Sequence, residues 1–199
     1  AVVKSATSIA GGGGNDTMVF NSSVGGAFVS LDSGADSVSF VTKVSGATMH
    51  GGSGSQTVGF SSANDLITFN GVFGGGSING GSGNDSLVFS SNVNGTSISG
   101  GAGDDTISGS ISVGASGVSF WGGTGNDTFD FSSGVLSAAS NATAYFWNDQ
   151  SGEDSIVIAN AVSALGGSAV VFGITSGASM NISFGAAATS VSSAYGAGT

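Results

Sequence analysis

The chain lacks several residue types that common fold and function classes require. Among its 199 residues there is no cysteine and no proline, and Lys4 and Lys43 are its only lysine or arginine side chains. Without cysteine the chain can form neither disulfides nor a thiol nucleophile. Without proline every peptide bond keeps its N–H donor, which the interior strands of a stacked sheet require.

Charge is scarce and almost all of one sign. Charged residues make up 7% of the chain, and the formal net charge is −10. Two cationic side chains cannot neutralise a run of phosphates, so we expect no nucleic-acid partner. No apolar run is long enough to span a membrane as a helix. Hydrophobic residues nevertheless make up 39% of the chain, which favours a folded protein over a disordered one.

The most informative feature that is present is a repeated motif, Gly-Gly-x-Gly-x-Asp-x followed by an apolar residue. Intact copies occupy residues 11–18, 80–87, 100–107 and 122–129. Glycine reaches backbone angles closed to other residues and exposes its carbonyl group, and aspartate supplies an anionic oxygen. Calcium binds about six to eight such oxygens. The motif therefore predicts stacked turns that hold Ca²⁺ in a parallel β-roll.

The motif aspartates recur at a nearly constant interval. Most steps are 20 residues, the last two are 22 and 27, and one internal step is only nine. An interval of this length indicates a solenoid, in which stacked coils bury one another's apolar faces. The nine-residue step predicts either a half-coil slip or a bulge in the register. The aligned series is Asp16, Asp36, Gln56, Asp65, Asp85, Asp105, Asp127 and Asp154.

A period of two follows each of these positions and predicts a strand, because alternate side chains of a strand face the same side. A second short strand in each coil leads back to the next turn. The predicted fold class is all-β, a parallel β-solenoid of the β-roll or β-helix type, with coils of about 20 residues and calcium turns along one edge. The expected core pairs are Met18 and Phe20, Val38 and Phe40, Val58 and Phe60, Ile67 and Phe69, Leu87 and Phe89, Phe129 and Phe131, and Ile156 and Ile158.

The four intact motifs resemble the calcium-binding nonapeptides of the repeats-in-toxin (RTX) family, which includes secreted toxins, adhesins, proteases and bacterial surface-layer proteins. The resemblance covers the motif-bearing coils from about residue 9 to residue 158. In that family a coil carries calcium turns along both edges, whereas here the spacing predicts them along one edge only. A two-sided roll and a three-sided helix both remain open.

The resemblance implies metal ligation by the motif aspartates and by the carbonyl groups of the second and fourth glycines. The turns at 31–36 and 149–154 keep acidic groups but lose glycines, so metal there is left open. The turn at 51–56 carries Gln56 in place of the carboxylate and is expected to fold without metal. The predicted calcium ligands are Gly12, Gly14, Asp16, Asp36, Gly81, Gly83, Asp85, Gly101, Gly103, Asp105, Gly123, Gly125, Asp127 and Asp154.

The placement of the acidic residues supports a cation independently of the resemblance. Of the 12 acidic residues, all except Asp130 fall in the predicted turns. Two carboxylates about 5 Å apart repel by roughly 3 kcal/mol at an effective dielectric constant near 20. A column of stacked acidic turns therefore needs bound cations.

The residue types argue against an enzyme. His50 is the only histidine, and no cysteine or arginine is available to build a nucleophile or an oxyanion clamp. The adjacent pair Asp104 and Asp105 lies inside an intact calcium motif, which accounts for both carboxylates without catalysis.

We therefore expect an extracellular or cell-surface structural protein, a calcium-stabilised β-solenoid that self-assembles into a surface layer or filament. Residues 1–160 are the predicted calcium-binding solenoid. Residues 161–199, which contain no acidic side chain, are a predicted C-terminal cap or assembly segment that continues it. The expected partner is a second copy, bound head to tail, with a cell-surface polysaccharide as a further candidate. The alternative is a calcium-dependent adhesin, or the calcium-binding roll of a larger secreted enzyme or toxin.

Overall fold

Every element of regular secondary structure in the described part of the chain is a β-strand. The computed structural model describes residues 7–52, 54–113, 116–132, 136–138, 143–148, 152–158, 163–164, 169–174 and 179–184. Side chains are described within 7–52, 54–90, 92–113, 116–132 and 152–157. Among these residues no helix is long and apolar enough to cross a membrane.

The strands form two sheets, one of 12 strands and one of eight. The first sheet contains β1 (Ser8–Ala10), β3 (Val24–Gly25), β4 (Phe28–Ser30), β6 (Val44–His50), β8 (Leu66–Gly74), β10 (Ser86–Asn94), β12 (Thr106–Val113), β14 (Thr128–Asp130), β15 (Leu136–Ala138), β17 (Glu153–Ile158), β18 (Ser163–Ala164) and β20 (Ser179–Phe184). The second sheet contains β2 (Thr17–Phe20), β5 (Ser37–Phe40), β7 (Gln56–Gly59), β9 (Gly76–Ser82), β11 (Thr96–Ala102), β13 (Val118–Thr124), β16 (Thr143–Asn148) and β19 (Ala169–Ile174).

Neighbouring strands of each sheet are parallel and one coil apart in sequence. Leu87 pairs with Ile67 on one side and Ile107 on the other, an advance of 20 residues in each case. The advance then grows to 22, from Thr106 to Thr128, and to 27, from Thr128 to Ser155. The predicted parallel β-solenoid with coils of about 20 residues is confirmed. Each described strand belongs to one of two hydrogen-bonded sheets.

The motif turns lie on two opposite edges of the roll. Turns 11–16, 31–36 and 51–56 lead from the first sheet to the second, along what we call edge one. Turns 60–65, 80–85, 100–105 and 122–127 lead from the second sheet to the first, along what we call edge two, and residues 152–154 stack on the last of them. The single edge that the motif spacing predicts is thereby corrected to two.

The nine-residue step between Gln56 and Asp65 causes this change of edge. Those nine residues contain only β7 and the following turn, which is half of a 20-residue coil. The predicted half-coil slip is therefore correct, and the next turn of edge one is reduced to Gly75 between β8 and β9.

The same slip divides the phenylalanine core into two short stacks. Phe40 in the second sheet stacks on Phe20 at 4.8 Å and on Phe60 at 5.2 Å between ring centroids. Phe69 in the first sheet stacks on Phe89 at 4.7 Å. Phe60 and Phe69 meet edge to face, with an interplanar angle of 80°. The predicted core pairs face inwards, and only the side chain of Ile158 falls outside the described residues.

The described C-terminal strands continue both sheets. β19 pairs with β16, and β20 pairs with β17, both in parallel. The remainder of 161–199 lies outside the described residues. Its predicted role as a cap or assembly segment stays a prediction.

Candidate cation-binding turns

We number the residues of each turn Gly-Gly-x-Gly-x-Asp as positions one to six. The position-six aspartates are joined by hydrogen bonds that we call the inner ladder. In each, Oδ1 accepts the backbone N–H of the position-six residue one coil earlier. On edge one the distance from Asp16 N to Asp36 Oδ1 is 3.0 Å. On edge two the distances are 2.8–2.9 Å, with acceptors Asp85, Asp105, Asp127 and Asp154. The ladder holds these carboxylates inside the turns.

In six of the column aspartates the second carboxylate oxygen is buried without a hydrogen-bond partner. This holds for Oδ2 of Asp16, Asp36, Asp65, Asp85, Asp105 and Asp127. All but Asp16 belong to residues only 2% exposed. A buried ionised oxygen with no partner is costly, and proteins neutralise it with a proton or compensate it with a cation.

The first glycine of each intact motif leaves space in front of this oxygen. A Cβ atom at Gly80 would lie 2.7 Å from Oδ2 of Asp85, and one at Gly100 would lie 2.4 Å from Oδ2 of Asp105. At Gly122 the corresponding distance, to Asp127, is 2.3 Å. The motif predicts roles for the second and fourth glycines only. The steric role of the first glycine appears once the direction of the carboxylate is known.

Burial shifts the titration of the edge-two carboxyls. It raises the pKa of Asp85 and of Asp127 to about 7 and that of Asp105 to about 6, with neighbouring aspartates adding to the rise. Burial also raises the pKa of Asp65, although the Val44 N–H and the Lys43 charge oppose the shift. Near neutral pH the carboxyls of Asp85 and Asp127 are therefore balanced between the protonated and ionised states.

The carbonyl groups at positions two and four point along the roll axis, towards the next coil. A Cβ atom at Gly101 would lie 2.2 Å from the carbonyl oxygen of Gly81, and one at Gly103 would lie 2.3 Å from that of Gly83. Gly123 and Gly125 stack in the same way on Gly101 and Gly103. The six glycines have positive φ angles of 99° to 127°. The turns thus line up predicted carbonyl ligands in two rows beside the carboxylates.

The described residues of both degenerate turns keep this geometry. In turn 31–36, Asp32 takes the position of the second glycine with a φ of 62°, and Gly34 has a φ of 140°. In turn 149–154, Gly152 has a φ of 122°, and a Cβ atom there would lie 1.7 Å from the Gly125 carbonyl oxygen. Asp36 and Asp154 are both acceptors in the inner ladder. A turn that has lost individual glycines therefore still keeps its position-six aspartate in the inner ladder.

One position-six aspartate was not among the predicted ligands. Asp65 is 2% exposed, begins the edge-two column, and accepts the Val44 N–H through Oδ1. Its turn has no motif glycine. The 20-residue interval to Asp85 was the available signal.

A second ladder, on the exposed position-five residues, was also missed. In this ladder, which we call the outer ladder, the side-chain oxygen of position five accepts the backbone N–H of position five one coil later, at 2.8–3.1 Å. The inner ladder has the opposite direction, because its side chains accept from the coil before. The pairs are Asn15 with Ala35, Asn64 with Asn84, Asn84 with Asp104, Asp104 with Asn126, and Asn126 with Glu153. The recurrent Asn-Asp dipeptide was its sequence signal.

The available ligands decide which cations these turns suit. In the part of the chain that the structure describes, no three His, Cys, Asp or Glu side chains converge on one point. A structural zinc site needs such side chains. Carboxylates supplemented by backbone carbonyl oxygens are instead typical ligands of hard cations such as Ca²⁺.

Comparison with known proteins adds no assignment. The chain matches no protein-family model, no curated protein and no solved structure.

The metal-free protein should become more stable on mild acidification. Folding raises the pKa of Asp85 and Asp127 from 3.8 to about 7. Between about pH 4 and pH 7 the folded state therefore binds more protons than the unfolded state. The free energy of unfolding consequently falls as the pH rises through this range. We expect the melting temperature of metal-stripped protein to be about 5 °C or more higher at pH 5 than at pH 8. In saturating calcium the difference should shrink or reverse, because protons compete with the metal. A metal-free melting temperature that rises from pH 5 to pH 8 would contradict this.

Proposed function

We propose that the protein is a structural subunit of the cell exterior, a calcium-stabilised solenoid that assembles head to tail into a surface layer or filament. The parallel β-solenoid is a fold of repeat structural proteins. The observation that carries the calcium assignment is the pair of buried aspartate columns, in which the Oδ2 atoms of Asp16, Asp36, Asp65, Asp85, Asp105 and Asp127 have no hydrogen-bond partner.

Calcium compensates these columns better than protons do at neutral pH. A proton removes one negative charge, whereas a divalent cation between two coils offsets two and also attracts the axial glycine carbonyl groups. Asp105 illustrates the arrangement, because it lies between Asp85 and Asp127 in the inner ladder. Sites in extracellular modules bind calcium with dissociation constants of about 10⁻⁴–10⁻³ M, so the proposal places the folded solenoid where calcium is abundant.

The proposed assembly uses the open ends of the two sheets. Among the described residues, β1 and β2 are the terminal strands at the N-terminal side, and β20 and β19 are terminal at the other. An unpaired strand edge is a template for another chain. Parallel pairing of the last coil of one subunit with the first coil of the next would continue both sheets. Such a contact is heterologous and produces open polymers.

The free side of β2 can be blocked without disturbing its internal pairing. The N–H groups of Ser37 and Val41 donate to the carbonyl groups of Asp16 and Phe20. The even-numbered residues of β2 therefore face β5, so the N–H of Val19 faces the open edge. Val19 is also 55% exposed.

We therefore predict that Val19→Pro prevents assembly and leaves calcium binding intact, since proline removes an edge donor. Electron microscopy and sedimentation of the full chain in calcium should show polymers for the wild type and for the control Val19→Ala, and monomers for Val19→Pro. Chelation should disperse the wild-type polymers. A monodisperse wild-type monomer at high concentration in calcium would contradict assembly and favour the adhesin or calcium-roll alternative.

A further inference from the structure

Gln56 is the one position-six residue in the two columns that is not an aspartate. It is 0% exposed. Its Nε2 donates a hydrogen bond of 3.5 Å to the carbonyl oxygen of Gly34, one coil earlier. Its Oε1 is buried and has no hydrogen-bond partner.

This arrangement repeats that of the aspartates with different chemistry. Asp36 uses Oδ1 to bind the backbone of the preceding coil and leaves Oδ2 without a partner. Gln56 uses Nε2 to bind the backbone of the preceding coil and leaves Oε1 without a partner. Both side chains therefore leave one buried oxygen within edge one. A simple loss of the site would instead leave an apolar side chain or a fully bonded amide there.

At position four the backbone beside Gln56 also keeps the geometry of an intact turn. Gly54, at position four, has a φ of 123°, and a Cβ atom there would lie 1.9 Å from the Gly34 carbonyl oxygen. The same stacking occurs between the position-four glycines Gly83 and Gly103 of two intact motifs. The Gly34 carbonyl group, which also accepts the Gln56 amide N–H, and a position-six oxygen are thus both present between turns 31–36 and 51–56.

We propose that Gln56 supplies Oε1 as a neutral ligand to a further calcium site on edge one, between turns 31–36 and 51–56. Calcium accepts glutamine carbonyl oxygens as well as carboxylates. This inference rests on the proposed calcium binding and revises the metal-free turn that the sequence favours. Asp36 is the only position-six carboxylate at this site, whereas two adjoin each interval of edge two from Asp65 to Asp154. Because calcium affinity is lower where fewer ligands are charged, this site fills last.

Calcium titration of position-56 variants tests the proposal. The full chain is stripped of metal and titrated calorimetrically with calcium chloride. Gln56→Met keeps the side-chain length but removes the oxygen, and it should bind one calcium ion fewer than the wild type. Gln56→Glu should bind the same number as the wild type, with the weakest class of sites about tenfold tighter, because the ligand gains a charge.

The control variant is Thr57→Glu, which places the same added charge on an exposed neighbour. It should leave the number of calcium sites unchanged and alter the affinity of the weakest class by no more than about twofold. The proposal is overturned if Gln56→Met binds as many ions as the wild type. It is also overturned if Gln56→Glu leaves the calcium affinity of the weakest class of sites unchanged. This second test still decides the matter if Gln56→Met does not fold. A wild type that binds no calcium would refute the proposed function itself, whereas a calcium-binding wild type with unaltered variants would refute only the role of Gln56.

Discussion

Removing calcium at pH 8 is expected to lower the melting temperature by about 20 °C or to unfold the protein outright. Six buried Oδ2 atoms have no hydrogen-bond partner, and leaving one such group uncompensated costs about 1–3 kcal/mol. Their sum is on the order of 10 kcal/mol, which is comparable with the whole stability of a typical domain. Protonation recovers part of this cost, but less of it at pH 8 than at pH 5.

Circular dichroism melts in calcium and in chelator measure this effect. Magnesium serves as the control cation, since it demands a small octahedral site, keeps its waters and should restore little of the loss. A melting temperature that changes by less than about 5 °C on chelation would contradict a structural role for the metal.

Gly101→Ala is expected to destabilise the protein by about 3–5 kcal/mol, because strain and overpacking each cost about 1–3 kcal/mol. Gly101 has a φ of 118°, and an added Cβ atom would lie 2.2 Å from the Gly81 carbonyl oxygen. The stacked coils would have to separate to admit it. Because that carbonyl is a proposed ligand, calcium affinity should fall as well.

Gly59→Ala is the matched control for this substitution. Gly59 lies in β7, and a Cβ atom there would meet no heavy atom within 4 Å. We expect a change of no more than about 1 kcal/mol, in the stabilising direction if any. Denaturant unfolding in saturating calcium compares the two variants. Equal losses would mean that close stacking of the turns is not what requires glycine at position two.

The strands and the core could be predicted from sequence because both follow from short periods. Alternation after each position-six residue placed side chains such as Phe40, Phe69 and Phe89 in the core, where they are at most 1% exposed. The 20-residue interval gave the coil length. These properties depend only on spacing along the chain, which the sequence displays directly.

The assignment of turns to edges could not be settled by spacing alone. A nine-residue step is compatible with a bulge that keeps the column on one edge. To choose the half-coil slip, one must know that β7 is the only strand between the turn ending at Gln56 and the turn ending at Asp65. One must also know that Asp65 lies against Val44, whose N–H it accepts. The division of the phenylalanine stack at Phe60 and Phe69 follows from the same event.

The chemistry within the turns was only partly predictable. The motif identified the aspartates and the glycine carbonyl groups. It did not show which carboxylate oxygen accepts a backbone hydrogen bond and which does not. That division depends on hydrogen bonds between residues 20 to 27 apart, as from Asp85 to Asp105 and from Asp127 to Asp154. The burial that raises the pKa of Asp85 and Asp127 likewise arises only when coils stack.

The central claim is that bound calcium forms two columns on opposite edges of one roll. Anomalous diffraction from crystals of the full chain grown in calcium tests it most directly. The account predicts peaks beside Asp16 and Asp36 on edge one, and a separate row of peaks from Asp65 to Asp154 on edge two. Absence of calcium at the Asp85, Asp105 and Asp127 turns, or a single row of peaks along one edge, would contradict it.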